Sequence, residues 1–217
     1  MSIPNSSDAF IHTLCGELKN STAFDISPRD NSNIKRGLRN ADGTGVMVGC
    51  TKIGSVQGYA IIDGEKTPME GRLIYRGYDI NQLIAGFTRE KRFGYEEIAY
   101  LLLFGELPDK TQLQTFHETL VERRTLPPTF VRDVIMKAPS RDMMNSLSRS
   151  ILSLYTYDPH ADDTSIPNVL RQCLNLISQF PMLMIYGYHA YNYRMGEDLF
   201  IYAPSPELST AENILMM

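Results

Sequence analysis

The chain has no strong surplus of either charge: 21 Lys and Arg face 25 Asp and Glu, a net charge of -4 over 217 residues. A general nucleic-acid binder shows a clear basic excess, so that class of partner is excluded. A small anionic ligand stays open, because it answers to a few local arginines rather than to net charge. Cysteine is scarce. Cys15, Cys50 and Cys173 are odd in number and far apart, with neither a disulfide framework nor metal-ligand spacing. They read as free thiols of a reducing compartment. Residues 1–10 lack a basic start followed by an apolar run, so no signal peptide is expected, and a cytoplasmic location follows. Long apolar runs are missing too. The most apolar stretch, residues 169–191, is interrupted by Arg171, Gln172, Asn175, Ser178 and Gln179, whereas a bilayer span needs about 20 predominantly apolar residues. It reads as a buried helix, with no membrane partner.

Catalytic signatures are equally scarce. Asp42-Gly43-Thr44-Gly45 is not followed by the Gly-Lys-Ser/Thr that cradles phosphate, and no GxSxG, HExxH or CxxC occurs. The histidines, His12, His117, His160 and His189, are isolated from one another. His117 falls on the polar face of a predicted helix. His160 sits among Asp158, Asp162 and Asp163, where an acidic loop flanking a helix explains the residues better than a hard-cation site. His189 lies in an apolar helix and reads as a core or interface residue. No metal site is expected, and the residues alone assemble no catalytic set.

What is present is mainly α-helical. Phe10, Ile11, Leu14 and Leu18 recur at helical spacing behind Ser6 and Ser7, and a polar arm follows at residues 20–33. From residue 45 to 74 short β-prone runs alternate with glycines, and the turn-rich centre at residues 63–68 predicts small hairpins. Beyond Asp79 the pattern is helical. Gly94 and Gly105 bracket one helix, and Asp109 with Gln112 forms a capping box for the next, which closes on Arg123 and Arg124. Pro127 and Pro128 open a short helix ended by Pro139. Two long helices follow, residues 140–155 and 165–193. The first is capped by Ser140 and striped by Met144, Leu147, Ile151 and Leu154. The second carries Leu170, Leu174, Ile177, Met184, Ile185 and Tyr188, with Pro181 expected to kink or break it. A last helix starts at Ser209 with its cap, and its apolar face has only just begun at Met217, which predicts a continuation beyond this sequence.

Gly71-Arg72-Leu73-Ile74-Tyr75-Arg76-Gly77-Tyr78-Asp79-Ile80 resembles a stretch of the citrate synthases. Further pieces resemble that family in the same order. They are Gly37-Leu38-Arg39, residues 45–53, residues 95–108 with their Leu-Phe-Gly-Glu-Leu-Pro end, Leu176-Ile177-Ser178-Gln179-Phe180-Pro181, and residues 208–213. The resemblance implies a mainly α fold, a helical citrate-synthase-like large domain with a small β-hairpin element near the N-terminus. Residues 1–36 would form an N-terminal helix and arm. Residues 37–217 would form the N-terminal part of the large domain, truncated before the small domain.

The family condenses acetyl-CoA with oxaloacetate to citrate and CoA without a prosthetic group or metal. In it an Asp removes a methyl proton, a His stabilises the enol, another His polarises the oxaloacetate carbonyl, and arginines hold the carboxylates. The resemblance places all of these after Met217, so no catalytic residue is carried over and the chain alone is expected to be inactive. It does carry over Arg39 as a ligand of the CoA phosphates, against the competing assignment of a surface arginine that orders the arm. Arg72 and Arg76 read as structural at the hairpin-to-helix junction rather than as carboxylate clamps. The two long helices, about 140–155 and 165–193, would form a homodimer interface. Where many relatives have His-Pro-Met, this chain has Arg141-Asp142-Met143, which marks a divergent branch. Two alternatives stand beside citrate synthase: a 2-methylcitrate synthase segment using propionyl-CoA, and a non-catalytic helical module that dimerises.

Overall fold

A computed structural model describes residues 10–16 and 53–217. The predicted cap at Ser6 and Ser7, the polar arm, the β-prone runs before residue 53, Cys50 and Arg39 lie outside the described residues. The fold is mainly helical with one small antiparallel sheet. It divides into two compact units, Gly16–Pro108 and, separately, Met1–Cys15 with Asp109–Met217.

In the Gly16–Pro108 unit, β1 (Gly54–Ile62) and β2 (Glu65–Tyr75) form one long hairpin. Its turn is Asp63-Gly64 alone, at φ 52° and 82°. Two positive φ values give the primed turn that matches strand twist, and Asp-Gly tolerates them. The predicted turn centre at residues 63–68 is therefore too long: Lys66, Thr67 and Pro68 pair with Ile61, Ala60 and Tyr59. Pro68 fits a strand because the register breaks beside it. Gln57 pairs with Arg72 and Tyr59 with Pro68, leaving three residues of β2 opposite Gly58, and a residue without an N–H is tolerated at such an irregularity.

A second turn, Arg76-Gly77 at φ 49° and 90°, returns the chain into β3 (Tyr78–Asp79) against the end of β2. Helix α2 (Ile80–Arg89) follows directly. Helix α3 (Tyr95–Phe104) begins at Gly94 and stops at Gly105, whose φ of 88° lets its N–H reach the Leu101 carbonyl at 2.8 Å. Both ends fall where the two glycines predict. Tyr100, Leu101 and Phe104 are buried, with the two rings 4.5 Å apart.

In the other unit, α1 (residues 10–16) buries Ile11, Leu14 and Cys15. Helix α4 (Lys110–Glu122) opens with the predicted reciprocal box: the Gln112 N–H donates to Asp109 Oδ1 and the Asp109 N–H to Gln112 Oε1, both at 2.8 Å. Its inner face buries Phe116 and Leu120. Arg124, read from sequence as a charge for the end of α4, is instead only 8% exposed. It donates to the Leu208 carbonyl at 2.7 Å and to Thr210 Oγ1 at 3.0 Å. The short helix after Pro128 is a π-helical turn, Val131–Met136.

Helix α5 (Met143–Leu154) is capped by Asp142, which accepts from the Asn145 N–H at 2.9 Å. Ser140, the predicted cap, accepts from the Asp142 N–H one step earlier. Helix α6 (Ile166–Arg194) runs through Pro181 without a break, and that proline is buried. Helix α7 (Thr210–Met216) is capped by a Ser209–Glu212 box. Its Asn213 side chain is buried and donates to the carbonyls of Ser205, Leu208 and Ser209. The core joins Phe130, Ile135, Leu147, Met182, Leu183, Tyr186, Ala190 and Met217. The predicted inner faces need two corrections. On α5 the buried residues are Ser146, Leu147 and Ser150, while Met144 is exposed. On α6, Met184 and Tyr188 face outward.

Candidate functional site

The arginines of the Arg72–Asp79 stretch are bound up in folding. Arg76 donates from Nε and Nη2 to the Leu102 carbonyl at 3.1 and 2.7 Å, and from Nη2 to the Leu103 carbonyl at 3.4 Å. These carbonyls belong to the last turn of α3, whose C-terminal oxygens have no partner inside the helix. Burial pulls the Arg76 pKa below its ordinary value, yet a guanidinium starts so high that it stays charged at neutral pH. Arg72 pairs with Asp79 at 3.3 Å. Asp79 in turn caps α2 by accepting from the Asn81 N–H at 3.0 Å. That backbone bond, with Arg72 alongside, holds its carboxyl below the usual range. The reading of Arg72 and Arg76 as structural is what this geometry displays.

The histidines do not converge. His12 and His160 are exposed and His117 is half-buried. The Nε2 of His189 lies 3.0 Å from the Met217 carbonyl, with its ring edge-on to Tyr188 and Phe200. Near His160 the carboxylates serve the loop: Asp158 receives both bonds of a forked Arg171 Nη2 at 2.8 Å. Burial works against the Asp158 charge, but Arg171, the His160 N–H and Gln172 outweigh it and hold the carboxyl below its ordinary value. Among the described residues no three His, Cys, Asp or Glu gather to hold a metal, and no helix is long and apolar enough to cross a membrane. Cys173 is a free thiol, and burial pushes it up.

The feature with the scale of a functional surface is the outer face of α5 and α6. Met144 and Leu152 on α5 are 71% and 75% exposed, and Val169, Leu176, Phe180, Met184 and Tyr188 continue the strip along α6. Spacings of seven and four residues place these α6 side chains on one face. A groove of about 280 Å³ runs between the helices, lined by Met143, Met144, Leu147, Phe180, Met184 and Gly187. Sequence periodicity marked these positions as apolar but could not say which side of each helix the core takes.

Comparison with known proteins identifies the fold. The family described as "Citrate synthase, C-terminal domain" matches residues 41–217. The chain is 28% identical over 186 residues to 2-methylcitrate synthase 1 of Corynebacterium glutamicum, an alignment covering 86% of this chain and 42% of that protein. It is 30% identical over 190 residues to the citrate synthase of Haloferax volcanii, covering 85% of this chain and 43% of that one. The crystal structure of citrate synthase from Pyrobaculum aerophilum superposes with a TM-score of 0.61 at 24% identity, over 83% of this chain and 43% of that one. The citrate synthase of Thermoplasma acidophilum, solved as a ternary complex with carboxymethyl coenzyme A and oxaloacetate, gives 0.56 at 20% identity over 78% and 39%. These likenesses define a class of mainly helical enzymes. The chain belongs to the citrate synthase family. It spans about two fifths of the length of these relatives.

Proposed function

We propose that this chain is a segment of a cytoplasmic synthase that condenses acetyl-CoA with oxaloacetate to give citrate and free CoA. The observation that carries the reading is the family match over residues 41–217. In such a reaction a base removes a proton from the acyl methyl group, the enol attacks the oxaloacetate carbonyl, and water cleaves the thioester only after carbon–carbon bond formation. That order needs acid and base groups poised in a water-poor site. In keeping with that reading, the described histidines stand apart from one another: His12 and His160 are exposed, His117 is half-buried and His189 meets a backbone carbonyl. On this reading the catalytic groups lie outside this chain, the chain by itself is inactive, and Arg39 meets the CoA phosphates in the assembled enzyme. Thiol release from acetyl-CoA with oxaloacetate tests both halves. The product of the full reading frame turns over and the purified 217-residue chain does not; robust turnover by the chain alone overturns the inactivity.

The exposed strip of α5 and α6 supports assembly as a homodimer through these helices. A soluble chain rarely leaves a contiguous apolar patch of this kind uncovered. Sedimentation is expected to show a dimer that Phe180→Asp with Met184→Asp dissociates; a compact wild-type monomer at micromolar concentration refutes it. A second reading, 2-methylcitrate synthase, draws on the likeness to the Corynebacterium enzyme, and competition between propionyl-CoA and acetyl-CoA on the full-length protein separates the two.

A further inference from the structure

Helix α6 carries a hole on its outward side. Phe180, Leu183, Met184 and Gly187 all line the groove of about 280 Å³ between α5 and α6. Their spacing, i, i+3, i+4 and i+7, is that of four residues surrounding a side chain inserted from a facing helix. Met144 and Leu147 of α5 close the other side, and the charged lining residue, Arg149, is turned to the Ala138 carbonyl. Gly187 is what opens the hole. A Cβ built there meets nothing within 4 Å. Its backbone is helical, so no left-handed turn requires glycine, and glycine inside a helix is destabilising relative to alanine. A missing side chain over open space lets a second helix come close, because the distance between packed helices is set by the side chains at the contact.

The same face supplies what can fill the hole. Phe180, Met184, Met144 and Leu152 all project into solvent. None of these side chains carries a charge, so a second copy meets the strip without like-charge repulsion. In a two-fold contact each copy offers the same surface. A surface holding both a hole and apolar projections complements itself. Resting on the homodimer reading, we propose that the groove at Gly187 is where a second copy of this chain inserts an apolar side chain from its own α5–α6 strip. Gly187 thereby sets how closely the second copy approaches α6.

Sedimentation equilibrium of the purified chain tests it. Wild type dimerises at micromolar concentration. Gly187→Leu fills the hole and weakens the dimer about tenfold or more. The same variant melts no lower than wild type when both are dilute enough to be monomeric, because the added side chain meets open space and leucine favours a helix. Gly187→Ala, the smaller change, weakens the dimer in the same direction should the leucine variant fold poorly. Gly86→Leu, in α2 and also facing open space, leaves the dimer as it was. A Gly187→Leu chain that dimerises like wild type overturns the groove contact and leaves the homodimer reading standing. A wild-type chain that stays monomeric overturns both. A monomeric Gly187→Leu chain that melts lower also overturns the contact, because the hole would then be filled from within the chain.

Discussion

Removal of the Arg76 guanidinium separates a structural role from a substrate-binding one. Arg76→Ala keeps the Cβ, so the cost of holding φ at 49° is the same in both proteins. What is lost is a charged donor with two well-placed bonds to Leu102, at 2.7 and 3.1 Å, and a long one to Leu103. A hydrogen bond to a charged group contributes about 1.5–3 kcal/mol. The site is only partly buried, so water recovers some of this once the side chain is gone. The expected loss is about 2 kcal/mol. Lysine presents a single ammonium instead of a fork and restores about half. Urea unfolding gives the loss, and amide exchange at the end of α3 localises it. A stability change under about 0.5 kcal/mol, the range of an ordinary surface substitution, combined with weakened oxaloacetate binding in the full-length enzyme, would refute the reasoning and restore the carboxylate clamp.

Two further expectations rest on single contacts. Gly94 starts α3 with a hypothetical Cβ 2.3 Å from the Phe87 ring; Gly94→Ala should cost about 1–3 kcal/mol by overpacking, read by thermal unfolding, and Phe87→Leu should restore part of it. The Asp158 pKa is depressed in the folded chain, so its contribution is present above the ordinary carboxylate pKa of about 4 and is lost as pH falls through the lower folded value. Asp158→Asn should therefore be less stable at pH 7 and should lose part of the wild type's acid sensitivity below about pH 4; identical pH–stability curves would contradict the pairing.

The local devices of this protein are written in short stretches of its sequence. Gly105 ends α3 because only glycine enters the left-handed region without strain, and Asp109 with Gln112 starts α4 because both partners lie within one helical turn. The Tyr75–Asp79 stretch likewise encodes its own turn, and with the other matching segments it made the family legible. Other features depended on partners far along the chain. Pro68 could join β2 because the cross-strand register slips beside it, and Arg124 became a buried tie because Leu208 and Thr210 arrive more than eighty positions later. Ser146 and Ser150 turned inward on α5, while α6 buries Leu174, Met182, Leu183 and Tyr186 and leaves Met184 outward. Periodicity reports that a helix has faces, and only the neighbouring elements decide which one water sees.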